Sequence, residues 1–269
     1  MNIALISDIH GNIEALDAVL SDIDSKAPGA RIVCAGDIVG YGPSPAECIQ
    51  RLISRQIICV LGNHDEMMIG RRDFSRCVYA GIVSSHWTRN NLSAEQLQFV
   101  NELPGFIEVT SEIFLCHGTL SDADKYVSDE ESAALALDEL DEHFSAASVL
   151  VCGHTHHATI YSGTSGFQQA DPGTVFSIPQ DERCLLNPGA VGQSRDGSLM
   201  ARYAILDTEA RRASFHGLTY DHAKTIDKLR QAGLVVAIDL QRRVGAARYL
   251  EAIRMRWARF RFQSNPELV

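Results

Sequence analysis

Five times in the first 157 residues a short apolar run stops abruptly at a cluster of Gly, Asp, Asn and His. Ile3-Ala4-Leu5-Ile6-Ser7 leads into Asp8-Ile9-His10-Gly11-Asn12, and Ile32-Val33-Cys34-Ala35 leads into Gly36-Asp37. Ile58-Cys59-Val60-Leu61 precedes Gly62-Asn63-His64-Asp65, Ile113-Phe114-Leu115-Cys116 precedes His117-Gly118, and Val149-Leu150-Val151-Cys152 precedes Gly153-His154-Thr155-His156. Brief apolar runs bounded by turn-forming residues read as buried strands. In open α/β sheets such strand ends open onto a common crevice, and glycine lets the backbone turn sharply there. The pattern therefore predicts five strand ends delivering Asp, His and Asn side chains to one rim.

Helical patterns separate the strands. Asn12–Asp24 places Ile13, Leu16, Val19, Leu20 and Ile23 on one face, with Asn12 as N-cap. Ser44-Pro45-Ala46-Glu47 opens the next helix, with a capping box between Ser44 and Glu47. Helices are expected over Phe74–Asn90, over Ser93–Glu102 with a Ser93/Gln96 capping box, and over Ser128–Phe144. Phe106–Thr110 and Ile113–Cys116 read as a hairpin. Beyond residue 157 strands are expected over Ala158–Tyr161, Arg183–Leu186, Met200–Leu206 and Arg212–Thr219. Ser162–Gln180 reads as a loop or irregular hairpin, and two helices close the chain near Asp221–Ala232 and Ala237–Phe260. Strands alternating with helices imply parallel crossover units. No linker or repeat interrupts them, so residues 1–269 are expected to form a single domain with the closing helices of 221–260 packed on it.

Composition narrows the class. The 269 residues are 45% hydrophobic and 22% charged, as in a globular protein rather than a disordered or fibrous one. Net charge is −10, which disfavours generic binding to nucleic acid or membrane surfaces. The balance is uneven: Arg242, Arg243, Arg248, Arg254, Arg256, Arg259 and Arg261 crowd one end, where a packed helix with a solvated basic face is the default. Seven cysteines include no CxxC pair. Cys34, Cys59, Cys116 and Cys152 lie within apolar runs and read as small core residues of a reducing compartment. With no signal-like start and no apolar run near the ~18 residues of a membrane span, a cytoplasmic location is expected.

The polar clusters carry the chemistry. Imidazole, carboxylate and amide oxygen together suit divalent first-row transition ions. A lone histidine is usually a hydrogen-bonded core or surface residue, but five at strand ends must coincide in placement as well as number. His154 and His156 can both ligate only if the backbone bends between them.

Taken in order, D-x-H (Asp8, His10), G-D (Gly36, Asp37), G-N-H-D (Gly62 to Asp65), H-G (His117) and G-H-T-H (Gly153 to His156) resemble the calcineurin-like metallophosphoesterase superfamily. Asn187-Pro188-Gly189-Ala190-Val191 resembles a further block of its smaller bacterial and archaeal phosphodiesterase branch. The resemblance implies a four-layer α/β/β/α sandwich, with two mixed β-sheets flanked by helices. It also implies a dinuclear centre: Asp8, His10 and His156 on one metal, Asn63, His117 and His154 on the other, and Asp37 bridging. Two divalent ions against Asp8, Asp37 and a bridging hydroxide would leave the site slightly positive, which attracts phosphate and activates solvent for attack on phosphorus. Manganese is the expected metal, with iron, zinc, nickel and cobalt as alternatives.

One departure separates branches. The Ser/Thr protein phosphatases and symmetrical diadenosine tetraphosphatases carry G-D-x-V-D-R-G where this chain has Gly36-Asp37-Ile38-Val39-Gly40-Tyr41-Gly42. The Asp that would orient His64 and the Arg that would clamp phosphate are missing. By analogy His64 is the general acid or phosphoryl contact and Arg195 a substitute cation, and Asn12 lies near enough to touch substrate. Tyr41 reads equally as a pocket wall or a simple turn, and His157 is expected to face away from the metals.

The resulting expectation is a metal-dependent phosphoesterase, chiefly a phosphodiesterase, acting on a phosphate-ester small molecule or nucleotide. A phosphomonoesterase or nucleotide pyrophosphatase could use the same residues, nucleic acid is a less favoured substrate, and a non-catalytic scaffold on the same fold is the alternative from another class.

Overall fold

A computed structural model describes residues 1–234 of the chain. In order the elements are β1 (Asn2–Ile6), α1 (Ile13–Lys26), β2 (Arg31–Cys34), α2 (Pro45–Ser54), β3 (Ile58–Cys59), α3 (Asn63–Ile69), α4 (Tyr79–Asn90), α5 (Ala94–Glu102), β4 (Phe106–Thr110) and β5 (Ile113–Cys116). They continue with α6 (Glu130–His143), β6 (Val149–Val151), β7 (Ala158–Ser162), β8 (Gly166–Gln169), β9 (Val175–Ser177), β10 (Cys184–Pro188), β11 (Ala201–Asp207), β12 (Arg212–Leu218) and α7 (His222–Gln231).

The strands form two six-stranded sheets, ordered β3-β2-β1-β11-β12-β9 and β4-β5-β6-β10-β7-β8. Both are mixed. β1, β2 and β3 run parallel while β11 pairs antiparallel with β1; β5, β6 and β10 run parallel while β7 pairs antiparallel with β10.

Period-two alternation explains the layering. Ile3, Leu5 and Val33 of one sheet and Ile113, Leu115 and Val151 of the other meet in a core between the sheets. Their neighbours Ala4, Ile6, Ile32 and Cys34 turn outward onto Leu16, Val19 and Leu20 of α1 and Ile49 and Leu52 of α2. Phe114, Cys116 and Leu150 turn outward onto Ala133, Leu137 and Leu140 of α6. Each buried Leu or Ile contributes about 1.5–3 kcal/mol, so both faces of each central strand are committed to packing. The expected α/β/β/α sandwich is what forms. The five apolar runs end at one rim because the parallel strands in each sheet point their C-terminal ends the same way.

Several local expectations hold. Asn12 caps α1, its side chain accepting from the Ala15 N–H, and the Ser93/Gln96 capping box opens α5. All seven cysteines are free thiols, and Cys34, Cys59, Cys116 and Cys152 are buried.

Others need correction. Ser44 makes no side-chain cap to α2; its hydroxyl instead accepts from the Lys228 ammonium 3.1 Å away. The helix expected from Phe74 begins at Tyr79. The 162–180 stretch supplies strands to both sheets, β8 pairing with β7 and β9 with β12. A short helix, α3, starts inside the Gly62–Asp65 cluster. The second closing helix lies outside the described residues, and so does part of the expected 1–269 domain. Among the described residues, no helix is long and apolar enough to cross a membrane.

Candidate metal centre

The rim begins with unusual backbone. Asp8, His10, Asp37, His154 and His156 all have positive φ, between 48° and 65°. Left-handed backbone at a non-glycine residue costs on the order of 1–3 kcal/mol and persists only where the surroundings enforce it. Here main-chain bonds do so: Asp8 N–H donates to the Gly36 carbonyl, His10 N–H to Asp37 and Gly192 N–H to Asp8. This is the bend that His154 and His156 require. Gly62 is needed for a different reason, because a Cβ there would collide with the Asp37 carboxylate.

The side chains converge on two foci that share Asp37. One ligand-type atom each from Asp8, His10, Asp37 and His156 lies within 4.8 Å of the others, and the same holds for Asp37, His117 and His154. Asn63 joins the second group, its Oδ1 3.2 Å from His117 Nε2. Asp37 Oδ2 stands 3.6 Å from His10 Nε2 and 3.3 Å from His117 Nε2, between the two groups.

Main-chain acceptors set the tautomers. His10 Nδ1 donates to the Val39 carbonyl (3.2 Å), His117 Nδ1 to Ala35 (2.6 Å) and His156 Nδ1 to Gln193. A ring nitrogen donating to a carbonyl leaves the other free to ligate. His10 Nε2 and His156 Nε2 consequently face each other at 3.1 Å. Burial pushes His10 down to about 3 and holds His156 well below its ordinary value, so near neutrality two lone pairs confront one another with no proton between them. Asp8 Oδ1, Asp37 Oδ2 and His154 Nε2 are likewise buried with no hydrogen-bond partner. Acceptors crowded in this way fit a cation at each focus.

The charges tell the same story. Burial drives Asp8 up to about 7 and His154 down to about 3. Burial also opposes charge on Asp37 and His117, but each outweighs it for the other. His117, with His64 and His10, holds Asp37 well below its usual value, and the Asp37 carboxylate lifts His117 to about 10.

A cleft of about 300 Å³ opens over the centre, lined by Asp37, Asn63, His64, His154 and His156 together with residues outside the motifs. His64 is 5% exposed and its Nδ1 has no partner, as the missing Asp foretold. Its ring packs 4.5 Å from Tyr41, which is therefore a pocket wall. Arg195 lines the cleft and donates to the Tyr126 hydroxyl (3.3 Å). His157 stands away from the centre, on a separate cleft with Asp171, Asp196 and Arg202. Asn12 does not reach this site's lining. It is 1% exposed, its amide donating to the Gly192 carbonyl and the Tyr220 hydroxyl while its oxygen accepts from Ala15 and Thr225. These bonds make it a structural tie between α1, Gly192, Tyr220 and Thr225.

Residues the motif reading passed over also matter. Asp65, the last member of G-N-H-D, accepts from the Ile38, Val39 and Gly62 N–H groups and so clamps the Asp37 loop to α3. Its place inside the block was a usable signal. Arg72, Arg76, Asp124 and Tyr126 line the cleft from polar stretches with no local pattern to mark them.

Comparison with known proteins agrees with this geometry. Residues 1–211 match the family model of the calcineurin-like phosphoesterase superfamily domain. An uncharacterized protein of Methanocaldococcus jannaschii is 32% identical over 230 residues, covering 84% of this chain and 91% of its own length. The crystal structure of a metallophosphoesterase from Sphaerobacter thermophilus superposes with a TM-score of 0.76 at 36% identity, covering 87% of this chain and 95% of that one. A hypothetical protein from Pyrococcus horikoshii shares the fold, with a TM-score of 0.70 at 16% identity over 87% of this chain and 94% of that one. Motif order, sandwich architecture and convergent acceptors thus meet in one conclusion: the chain belongs to the calcineurin-like phosphoesterase superfamily.

Proposed function

We propose that the chain is a dinuclear metal-dependent phosphodiesterase that hydrolyses a P–O bond in a small phosphate ester or nucleotide. Asp8, His10 and His156 hold one ion, Asn63, His117 and His154 hold the other, and Asp37 offers a carboxylate to both. The observation that carries this reading is the convergence of the His10, His156 and His154 Nε2 atoms with the unpartnered oxygens of Asp8 and Asp37 on two foci that share Asp37. Such ions supply Lewis acidity toward a phosphoryl oxygen and make a strong nucleophile of solvent at neutral pH. Manganese is the first ion to load; iron, zinc, nickel and cobalt suit the same donors.

The remaining roles fall to the chain's own groups. Arg195 grips a non-bridging oxygen from the cleft wall. His64 protonates the leaving alkoxide. With Nδ1 sealed inside the protein, Nε2 is the nitrogen left to do so. Burial holds His64 below its ordinary value, and an arriving phosphate anion favours its protonated form.

Replacing His64 by Ala or Asn is expected to cut turnover of esters with poor leaving groups far more than turnover of nitrophenyl esters, with metal content intact. Equal losses on both would refute the acid role. The cleft's three arginines, Arg72, Arg76 and Arg195, favour a second reading in which the substrate carries extra negative charge, as in a phosphomonoester or a nucleotide pyrophosphate. Rates on bis-nitrophenyl phosphate against nitrophenyl phosphate separate the two. A metal-loaded chain inert on every ester would leave only the scaffold role.

A further inference from the structure

We propose that Asp124 is the positioning residue for the second ion. It fixes the Asn63 amide from a strap over residues 118–126 that also packs on the His154 ring, so the affinity of that ion alone depends on it. The inference rests on the two-ion reading above and concerns what holds its ligands in place.

The strap exists because residue 118 has no side chain. A Cβ at Gly118 would sit 2.5 Å from the Asp122 carbonyl oxygen and 2.7 Å from that of Lys125. Without it the chain folds back over the His117 strand end, closed by the Thr119 N–H to the Asp122 carbonyl (3.0 Å) and the Asp124 N–H to the Asp122 carboxylate (2.9 Å).

Asp124 is thereby buried beside the centre with three contacts. Its Oδ1 accepts from Asn63 Nδ2 at 3.2 Å. A primary amide presents an oxygen on one side and an NH2 on the other, and its partners decide which way it points. Binding the NH2 to a carboxylate turns Asn63 Oδ1 toward His117 Nε2 and the second focus; the flipped amide would set oxygen against oxygen. The Asp124 main-chain carbonyl lies beside the His154 ring and favours its protonated form. His154 Nε2 is buried with no partner. Asp124 Oδ2 pairs with Arg76 at 3.0 Å, steadying the carboxylate from the cleft side. Tyr126, from the same strap, stacks on His154 with ring centroids 4.0 Å apart. One loop therefore governs two of the three ligands particular to the second focus and is joined to the third, His117. The first focus has other supports: the Val39 and Gln193 carbonyls orient its two histidines.

The test is a titration of the full chain, stripped of metal, with Co2+ alone, followed by its visible absorption and by calorimetry. The wild type is expected to take two equivalents. In Asp124→Ala the first should bind within about threefold of wild type and the second about 10–100-fold more weakly, the range for losing a group that orients a ligand. Asp124→Asn keeps an acceptor oxygen and is expected to restore the second affinity to within about threefold. If Asp124→Ala loses its circular-dichroism spectrum, Asp124→Ser, whose hydroxyl is too short to reach Asn63, is read in its place. Unchanged binding, equal weakening of both equivalents, or an Asn variant as weak as the Ala variant would overturn the inference while leaving two ions in place. A wild-type chain that takes fewer than two ions would overturn the two-ion reading itself.

Discussion

The Asp8/His10/His156 corner and the Asn63/His117/His154 corner share Asp37 but are supported differently. At the first corner, main-chain bonds carry the load: the Asp8 N–H is fixed by Gly36, the His10 and His156 rings by Val39 and Gln193, and the Asp8 Oδ2 by the His154 N–H. At the second, the Ala35 carbonyl holds His117 in the same way, but Asn63 is oriented by a side chain, Asp124 of a surface-facing strap, which Arg76 backs. Main-chain supports come with the strand ends and survive most substitutions. A side-chain support is lost by changing one residue. On the two-ion proposal, the second corner is therefore where a substitution would tune metal affinity, and the first is where it would also disturb the fold.

The largest expected effect comes from the residue common to both corners. Asp37→Ala should abolish tight binding of both ions and lower activity by about a thousandfold or more, the scale of several kcal/mol of lost charge stabilisation. Elemental analysis after gel filtration checks the first part. Retention of one full equivalent would show that the corners are independent and that Asp37 belongs to only one of them.

Acidity should sharpen the contrast next. Ions bind the unprotonated ligands, so protons compete below a ligand's pKa. Asp8 is raised by burial to about 7, and His117 is lifted by Asp37 to about 10. Metal affinity should fall as pH drops through about 7, where Asp8 takes up its proton, and binding at pH 7 should release the proton held by His117. Calorimetry in buffers of different ionisation enthalpy reads both. Affinity independent of pH between 6 and 8 would contradict the assignment of Asp8 and His117 as ligands.

The smallest effect concerns a more distant support of the first corner. Asn12 caps α1 and ties Gly192, next to the Gln193 carbonyl that orients His156, to Tyr220 and Thr225 near α7. Asn12→Ala should lower stability by about 1–2 kcal/mol, the usual scale of a lost cap. It should weaken the first ion severalfold with little change in the second, the mirror image of the Asp124 result. Denaturant unfolding and the same Co2+ titration measure both.

How far these arrangements were legible depended on how local their causes were. The apolar runs showed the strands, and alternation within them showed both packed faces. The Gly-polar endings showed the site, because a glycine beside Asp or His signals a sharp turn whatever lies elsewhere. Asn12 and Ser93 were readable as caps for the same reason. Ser44 was not, since the group that claims its hydroxyl, Lys228, is 184 residues away. The seven residues of α3 are too few to show a helical period. The 162–180 stretch hid two strands because their partners are set by sheet pairing rather than by their own composition.

What the sequence by itself determined is the inventory, namely which donors exist and that strand ends carry them; Asp37's place between two sets of histidines was what the family resemblance implied. Those are properties of short stretches and their order. Only the tertiary structure decided which nitrogen of His10, His117 and His156 is free and which way the Asn63 amide points. It also decided that Asp124, one acid among 34 acidic residues, stands behind the second corner. Hydrogen bonds act over about 3 Å of space regardless of separation along the chain, so Asn63 and Asp124 become partners only after the sheets have packed.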